Sequence, residues 1–137
     1  MMIDRSKKSR RTGAAAVELA LVTPIFFTLV FAQLETACLG MSTQVLTMAA
    51  REGARVAVIN NSTQSDVQAQ VNRVLSGAGI TVSTVTPTPS NWSTAPGGTP
   101  ITVSLSVPYS QVSWFSTPLF FGSSILTASA TMSSERP

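Results

Sequence analysis

The 137-residue chain contains no histidine and a single cysteine, and only 11% of its residues are charged. An average soluble protein is about 25% charged. Without histidine, neither a Ser-His-Asp triad nor a Cys-His pair can be built. One cysteine cannot close an internal disulfide, and it falls short of the several ligands that a Cys/His zinc site needs. Paired carboxylates for acid–base chemistry are missing too. Glu18 and Glu35 stand in or beside an apolar tract, and Glu52 adjoins Arg51. The sequence therefore offers no catalytic residues, no metal site and no cofactor, and an enzyme is not expected. Its length suits one domain of ordinary size.

Apolar side chains make up 44% of the residues, and the charge that is present is unevenly placed. Arg5, Lys7, Lys8, Arg10 and Arg11 are opposed nearby only by Asp4. Residues 1–13 carry a net charge of +4 and the remainder −1. The basic pI near 9.8 thus belongs to the first thirteen residues and not to a folded surface. Nucleic acid is accordingly not an expected partner, nor is a small-molecule substrate. KKSRR has the look of a nuclear or nucleic-acid signal, but an apolar segment follows it immediately.

That segment runs from Ala14 to about Met41. Its centre, Leu19 to Leu34 (LALVTPIFFTLVFAQL), has no charge. As a helix these sixteen residues span about 24 Å, so flanking residues must help to cross a hydrocarbon core of about 30 Å. Basic residues beside an apolar helix stay on the cytoplasmic side, and Arg5, Lys7, Lys8, Arg10 and Arg11 set that orientation. Several readings of the tract compete. It is longer than the apolar region of a cleavable secretory peptide, and no small-residue cleavage site closes it. Leu34-Glu35-Thr36-Ala37-Cys38 matches a lipoprotein signal only loosely. An uncleaved signal anchor is the plainest alternative. The remaining reading rests on Gly13 and Glu18. A glycine closing the basic leader, with a glutamate five residues on, resembles the class III signal of type IV pilins and pseudopilins. That resemblance implies cleavage by a prepilin peptidase between Gly13 and Ala14. It also implies that Glu18 pairs with the amino terminus of a neighbouring subunit during assembly. The competing account of Glu18 is a solvated carboxylate at headgroup level. One departure is that Ala14 and Leu19 stand where many such signals carry an aromatic.

The helical period continues beyond the tract. Gln44, Thr47, Arg51 and Arg55 form one stripe, with Leu46, Ala49, Gly53, Val56 and Ala57 opposite. Gly53 costs about 1 kcal/mol against Ala in a helix interior, so a close contact is expected there. One helix over about 15–59 follows, kinked at Pro24 and ended by Asn60-Asn61. Neighbouring helices or the hydroxyls of Thr23 and Thr28 are available to the carbonyl that Pro24 frees. Thr63 and Asp66 form a capping pair for a second helix over 64–76, with Val67, Val71, Val74 and Leu75 on one face and Gly77 as its C-cap. Three strands are expected: Ile80–Val85, then Ile101 to Val107 ended by Pro108, then Leu126 to Met132. Residues 87–100 read as a loop. Sequential strands with one polar face predict an antiparallel sheet laid over the long helix. Tyr109, Trp114, Phe115, Phe120 and Phe121 cluster between the last two strands. They either cover the open end of the sheet or form a contact patch for headgroups or a partner subunit. Cys38 reads as a small buried side chain, with a disulfide to a second subunit as the alternative.

The segments RRTGAAAVELALVTPIFF and MAAREGARVAV, with a sheet ending in ILTASATMSSE, together resemble the TadE-like family of minor pseudopilins. That family belongs to the tight-adherence (Flp pilus) system. The resemblance implies a pilin-like α+β fold, in which a long N-terminal membrane-spanning helix packs on a small three-stranded antiparallel sheet with one short extra helix. It implies a leader over 1–13, a transmembrane stretch over 14–41 and an extracytoplasmic head over 42–137. The expected place is the bacterial inner membrane, single-pass, with the N-terminus cytoplasmic. The expected partners are membrane lipid, a prepilin peptidase, other pilins or pseudopilins and the pilus assembly platform. The alternative function is a membrane-anchored binding module or adhesin with an uncleaved anchor.

Overall fold

The computed structural model describes residues 6–82, 85–115 and 117–136, with side chains from residue 13 onward. Two α-helices and a three-stranded antiparallel sheet make an α+β fold, as the sequence predicts. Backbone contacts divide the chain into two units at Leu34/Glu35.

Helix α1 runs from Ser6 to Ala57. It starts nine residues before the expected position, so residues 6–13 are helical and Gly13 is no boundary of secondary structure. Arg5 lies outside the described residues, and so do the side chains of Lys7, Lys8, Arg10 and Arg11. The helix is unbroken at Pro24. The Thr23 hydroxyl donates to the Leu19 carbonyl at 2.6 Å and the Thr28 hydroxyl to the Pro24 carbonyl at 2.7 Å. Neither is spent on the Ala20 carbonyl, the one that Pro24 leaves without its helical donor. These bonds instead hide each hydroxyl within its own helix, which suits threonine to an apolar run. At the other end the last turn tightens, with Ile59 N–H donating to Val56. Asn61 then adopts φ 60, a left-handed conformation that asparagine tolerates well.

Helix α2 spans Gln64–Ser76 and carries the expected caps. Asp66 N–H donates to Thr63 Oγ1 at 3.3 Å, and Thr63 N–H donates to Asp66 Oδ2 at 2.9 Å. Hydrogen bonds from Thr63 hold the Asp66 carboxyl below its ordinary pKa. A lowered folded-state pKa stabilises above the unfolded-state value, about 3.9, and that contribution is lost as pH falls through the folded value. We expect a fall in stability between about pH 5 and pH 3 that is weaker in Asp66→Asn. Denaturation midpoints across that range would check it.

Strand β1 is Pro87–Thr88, β2 is Pro100–Pro108 and β3 is Ile125–Ser133, in the order β1-β2-β3. Val103 faces Pro87 on one side and Ala130 on the other. The expected strand over Ile80–Val85 is not there among the described residues, and Ser83 and Thr84 lie outside them. The physical reason is in the backbone bonding of Val85. Its N–H donates to Gln68 Oε1 at 2.8 Å, and its carbonyl accepts from Gln64 Nε2. Side chains of α2 therefore take the groups that a neighbouring strand would need. Ile80 and Val85 are both buried, so burial of these apolar side chains here comes without strand pairing. Within the expected loop, 87–88 pairs with β2 and Trp92–Thr94 forms a 3-10 turn.

The core lies where α1, α2 and β2 meet. Leu46, Ala49, Ala50, Ala54 and Ala57 of α1 are fully buried, with Val67, Val71 and Leu75 of α2 and Ile101 and Val103 of β2. Gln44, Arg51 and Arg55 are exposed, as the period predicts. A Cβ placed on Gly53 would sit 2.7 Å from Val71 Cγ2 and 3.3 Å from Val103 Cγ1. The expected close contact is thus present, and it involves both α2 and the sheet.

Candidate functional site

Two regions hold the residues singled out from sequence. The first is the apolar part of α1. Eight large apolar side chains between Val17 and Leu29 are half or more exposed. The helix is long and apolar enough to cross a membrane. Glu18 is exposed and is the only charged residue between Gly13 and Leu34. A Cβ on Gly13 would meet nothing within 4 Å, so among the described residues no packing accounts for a helical glycine there. Gly53 has such a reason; Gly13 does not.

The second region is the chain between β2 and β3. The five aromatics do not form one cluster. Tyr109 is fully buried, and its hydroxyl donates to the Glu35 carbonyl at 3.1 Å. Burial pushes the pKa of that hydroxyl up, which keeps it a donor. Phe121 packs edge-on against Tyr109 at 6.1 Å between ring centroids. Phe115 is half-buried. Trp114 and Phe120 are 72% and 50% exposed. Tyr109 and Phe121 thus pack toward the core, while Trp114 and Phe120 are left exposed.

Sequence reasoning missed two charged residues. Glu35 stands in the apolar tract, yet it is fully buried. Its carboxylate accepts the backbone N–H groups of Leu119, of Phe120 at 3.0 Å and of Phe121 at 3.3 Å. Successive N–H groups converging on an anion offset much of the cost of removing it from water. One helical turn on, buried Cys38 donates to the Val112 carbonyl at 3.4 Å, which agrees with its reading as a small buried side chain. A signal for Glu35 was available. It lies on the stripe of positions 35, 38, 42, 46, 49 and 53, spaced by three and four, all of them buried. The other missed residue is Arg136. Its guanidinium donates to the carbonyls of Ala57 at 2.8 Å, Ile59 at 3.1 Å and Trp92, and stacks 5.8 Å over the Trp92 ring. It therefore closes the C-terminal end of α1, where cations are favoured.

Neither region assembles acid–base or nucleophilic chemistry. Among the described residues no group of three His, Cys, Asp or Glu could hold a metal. The depression on the outer face of the sheet is lined by Ser104, Ser106, Thr127 and Ser129, with Leu105 and Ala128. What the arrangement provides is a lipid-compatible helix, a hydrogen-bonded clamp between α1 and the β2–β3 loop, and exposed apolar side chains on that loop.

Among family models, that of the TadE-like proteins matches residues 13–55. This is the family that the sequence resembles, and the matched segment runs from Gly13 through the apolar run to Arg55. No curated protein and no solved structure matches the chain.

Proposed function

We propose that the protein is a minor pseudopilin that serves the assembly or anchoring of a tight-adherence pilus, held in the inner membrane by a single span. The observation that carries this is the exposed apolar run of α1, headed by Glu18 five residues beyond Gly13. The TadE-like match over 13–55 supports it. Residues 14–34 rise about 32 Å as a helix, close to the thickness of a hydrocarbon core. Basic residues in the leader hold the N-terminus in the cytoplasm and the head outside it.

Processing removes the leader between Gly13 and Ala14 and leaves Ala14 with a free amino group. Glu18, one turn further along, then carries the only side-chain charge in the span. A carboxylate at the edge of a membrane is costly without a partner, and the amino terminus of a neighbouring subunit supplies one. Pairing fixes the axial register between subunits while the apolar helices pack side by side. The role is structural, and the partners are lipid, the peptidase, other pilins and the assembly platform.

Loss of the gene is expected to abolish piliation. Wild-type protein restores it, whereas Glu18→Ala accumulates in the membrane at normal level and does not. Counting pili by electron microscopy alongside membrane immunoblots reads both outcomes. Normal piliation after gene loss would favour the membrane-anchored binding module. Normal piliation with Glu18→Ala would remove the assembly role from that residue.

A further inference from the structure

We propose that the loop between β2 and β3 is a second, lipid-interface anchor, with Trp114, Leu119 and Phe120 seated at the headgroup–acyl boundary and Glu35 holding the loop in position. The inference rests on the membrane-anchored reading above and adds to it a direct contact of the head with lipid.

The three side chains are 72%, 62% and 50% exposed. Apolar groups of this size on one loop mark an interaction surface. The tie point of the loop decides which surface. Leu119, Phe120 and Phe121 give their N–H groups to Glu35, the residue that follows Leu34 directly. Val112 is tied to Cys38, one turn along the same helix. A span over 14–34 uses the full hydrocarbon thickness, so Glu35 emerges at headgroup level. The loop is bonded to the chain at that depth. Charge agrees as well, because no Asp, Glu, Lys or Arg occurs between Arg73 and Glu135. No charged side chain on the loop has to be stripped of its water. Tryptophan suits the boundary, with an apolar ring for the acyl side and an N–H for the headgroups. Glu35 acts here as a positioning residue: its buried carboxylate fixes three consecutive backbone groups, so Leu119 and Phe120 point away from the core.

The test uses the full-length protein in vesicles of phosphatidylethanolamine and phosphatidylglycerol, with some acyl chains brominated near the headgroup. The chain has two tryptophans, and Trp92 is buried at 6% exposure. The difference in emission between wild type and Trp114→Phe therefore isolates Trp114. We expect brominated lipid to remove most of the Trp114 emission and aqueous iodide to remove little. Glu35→Gln replaces one acceptor oxygen by a donor. It is expected to move Trp114 from lipid to iodide quenching, while unchanged Trp92 emission reports a folded head. If Glu35→Gln unfolds the head, the wild-type result alone decides. The proposal is overturned if the protein floats with the vesicles while Trp114 is quenched by iodide and not by lipid. It is also overturned if protection of Trp114 rises with protein density in the membrane, which would mean a second copy covers it. Failure to float at all would instead remove the anchoring on which the proposal rests.

Discussion

Gly53→Val is expected to destabilise the head by about 3 kcal/mol, at the upper end of what overpacking a filled core costs. The Cβ alone would stand 2.7 Å from Val71 Cγ2, inside any real carbon–carbon contact, and the added methyl groups would press on Val103. Valine at 71 is itself β-branched and stiff, so it has little freedom to turn aside. Gly53→Ala is the more informative variant. It gains about 1 kcal/mol of helix propensity and meets the same clash. Combined with Val71→Ala it should be better tolerated than the two single changes added together, because each removes the reason for the other's cost. Chemical denaturation of the full-length chain in detergent, followed by Trp92 emission in a Trp114→Phe background, would measure the cycle. Strict additivity would show that the helix–helix approach at Gly53 is not tight.

Arg136→Ala is expected to cost about as much, roughly 3 kcal/mol, the value of one or two hydrogen bonds to a charged group. The guanidinium reaches the carbonyls of Ala57, Ile59 and Trp92, and at 3.3 Å the Ser62 hydroxyl. Ala57 and Ile59 lie at the end of α1, where carbonyls have no helical donor. Removing the side chain leaves these partly buried acceptors to other partners, the Ser62 hydroxyl and N–H for Ala57 and Ile59 and the Ala95 N–H at 3.4 Å for Trp92. It also takes away the cation over the Trp92 ring. Arg136→Lys should recover only part of the loss, since one ammonium cannot spread over acceptors that a planar fork serves together. The same denaturation measurement distinguishes the three proteins. Equal stability of Arg136→Ala and wild type would show that water satisfies the helix end.

Elements specified by neighbouring residues could be read from the sequence. The capping pair Thr63/Asp66, the alternation of Ile101, Val103, Leu105 and Val107, and the small stripe through Gly53 each announce themselves within a few positions. The α+β class follows from them. Features that depend on distant partners could not be read that way. Ile80–Val85 has strand composition, yet Gln64 and Gln68 capture the Val85 backbone from α2, and no local pattern announces a side chain that competes with a strand. Glu35 was placed with the membrane because its neighbours in sequence are apolar. Its partners, Leu119 to Phe121, are more than eighty residues away. Arg136 counted only as one charge among few, although it closes a helix that ends nearly eighty residues earlier. The aromatic cluster was compact in sequence and divided in space, since Tyr109 and Phe121 turn inward while Trp114 and Phe120 turn out. Gly13 is the opposite case. Among the described residues nothing packs against a Cβ at Gly13, so the fold supplies no reason for glycine there.

The proposed cleavage after Gly13 is open to the most direct test. The full-length protein would be expressed with and without the prepilin peptidase of its own system, and its N-terminus read by intact mass and by terminal sequencing. A chain beginning at Ala14 is expected when the peptidase is present, an uncut chain when it is absent, and an uncut chain for Gly13→Leu under either condition. A mass unchanged by the peptidase, or a Gly13→Leu chain cut as readily as wild type, would contradict the proposed cleavage.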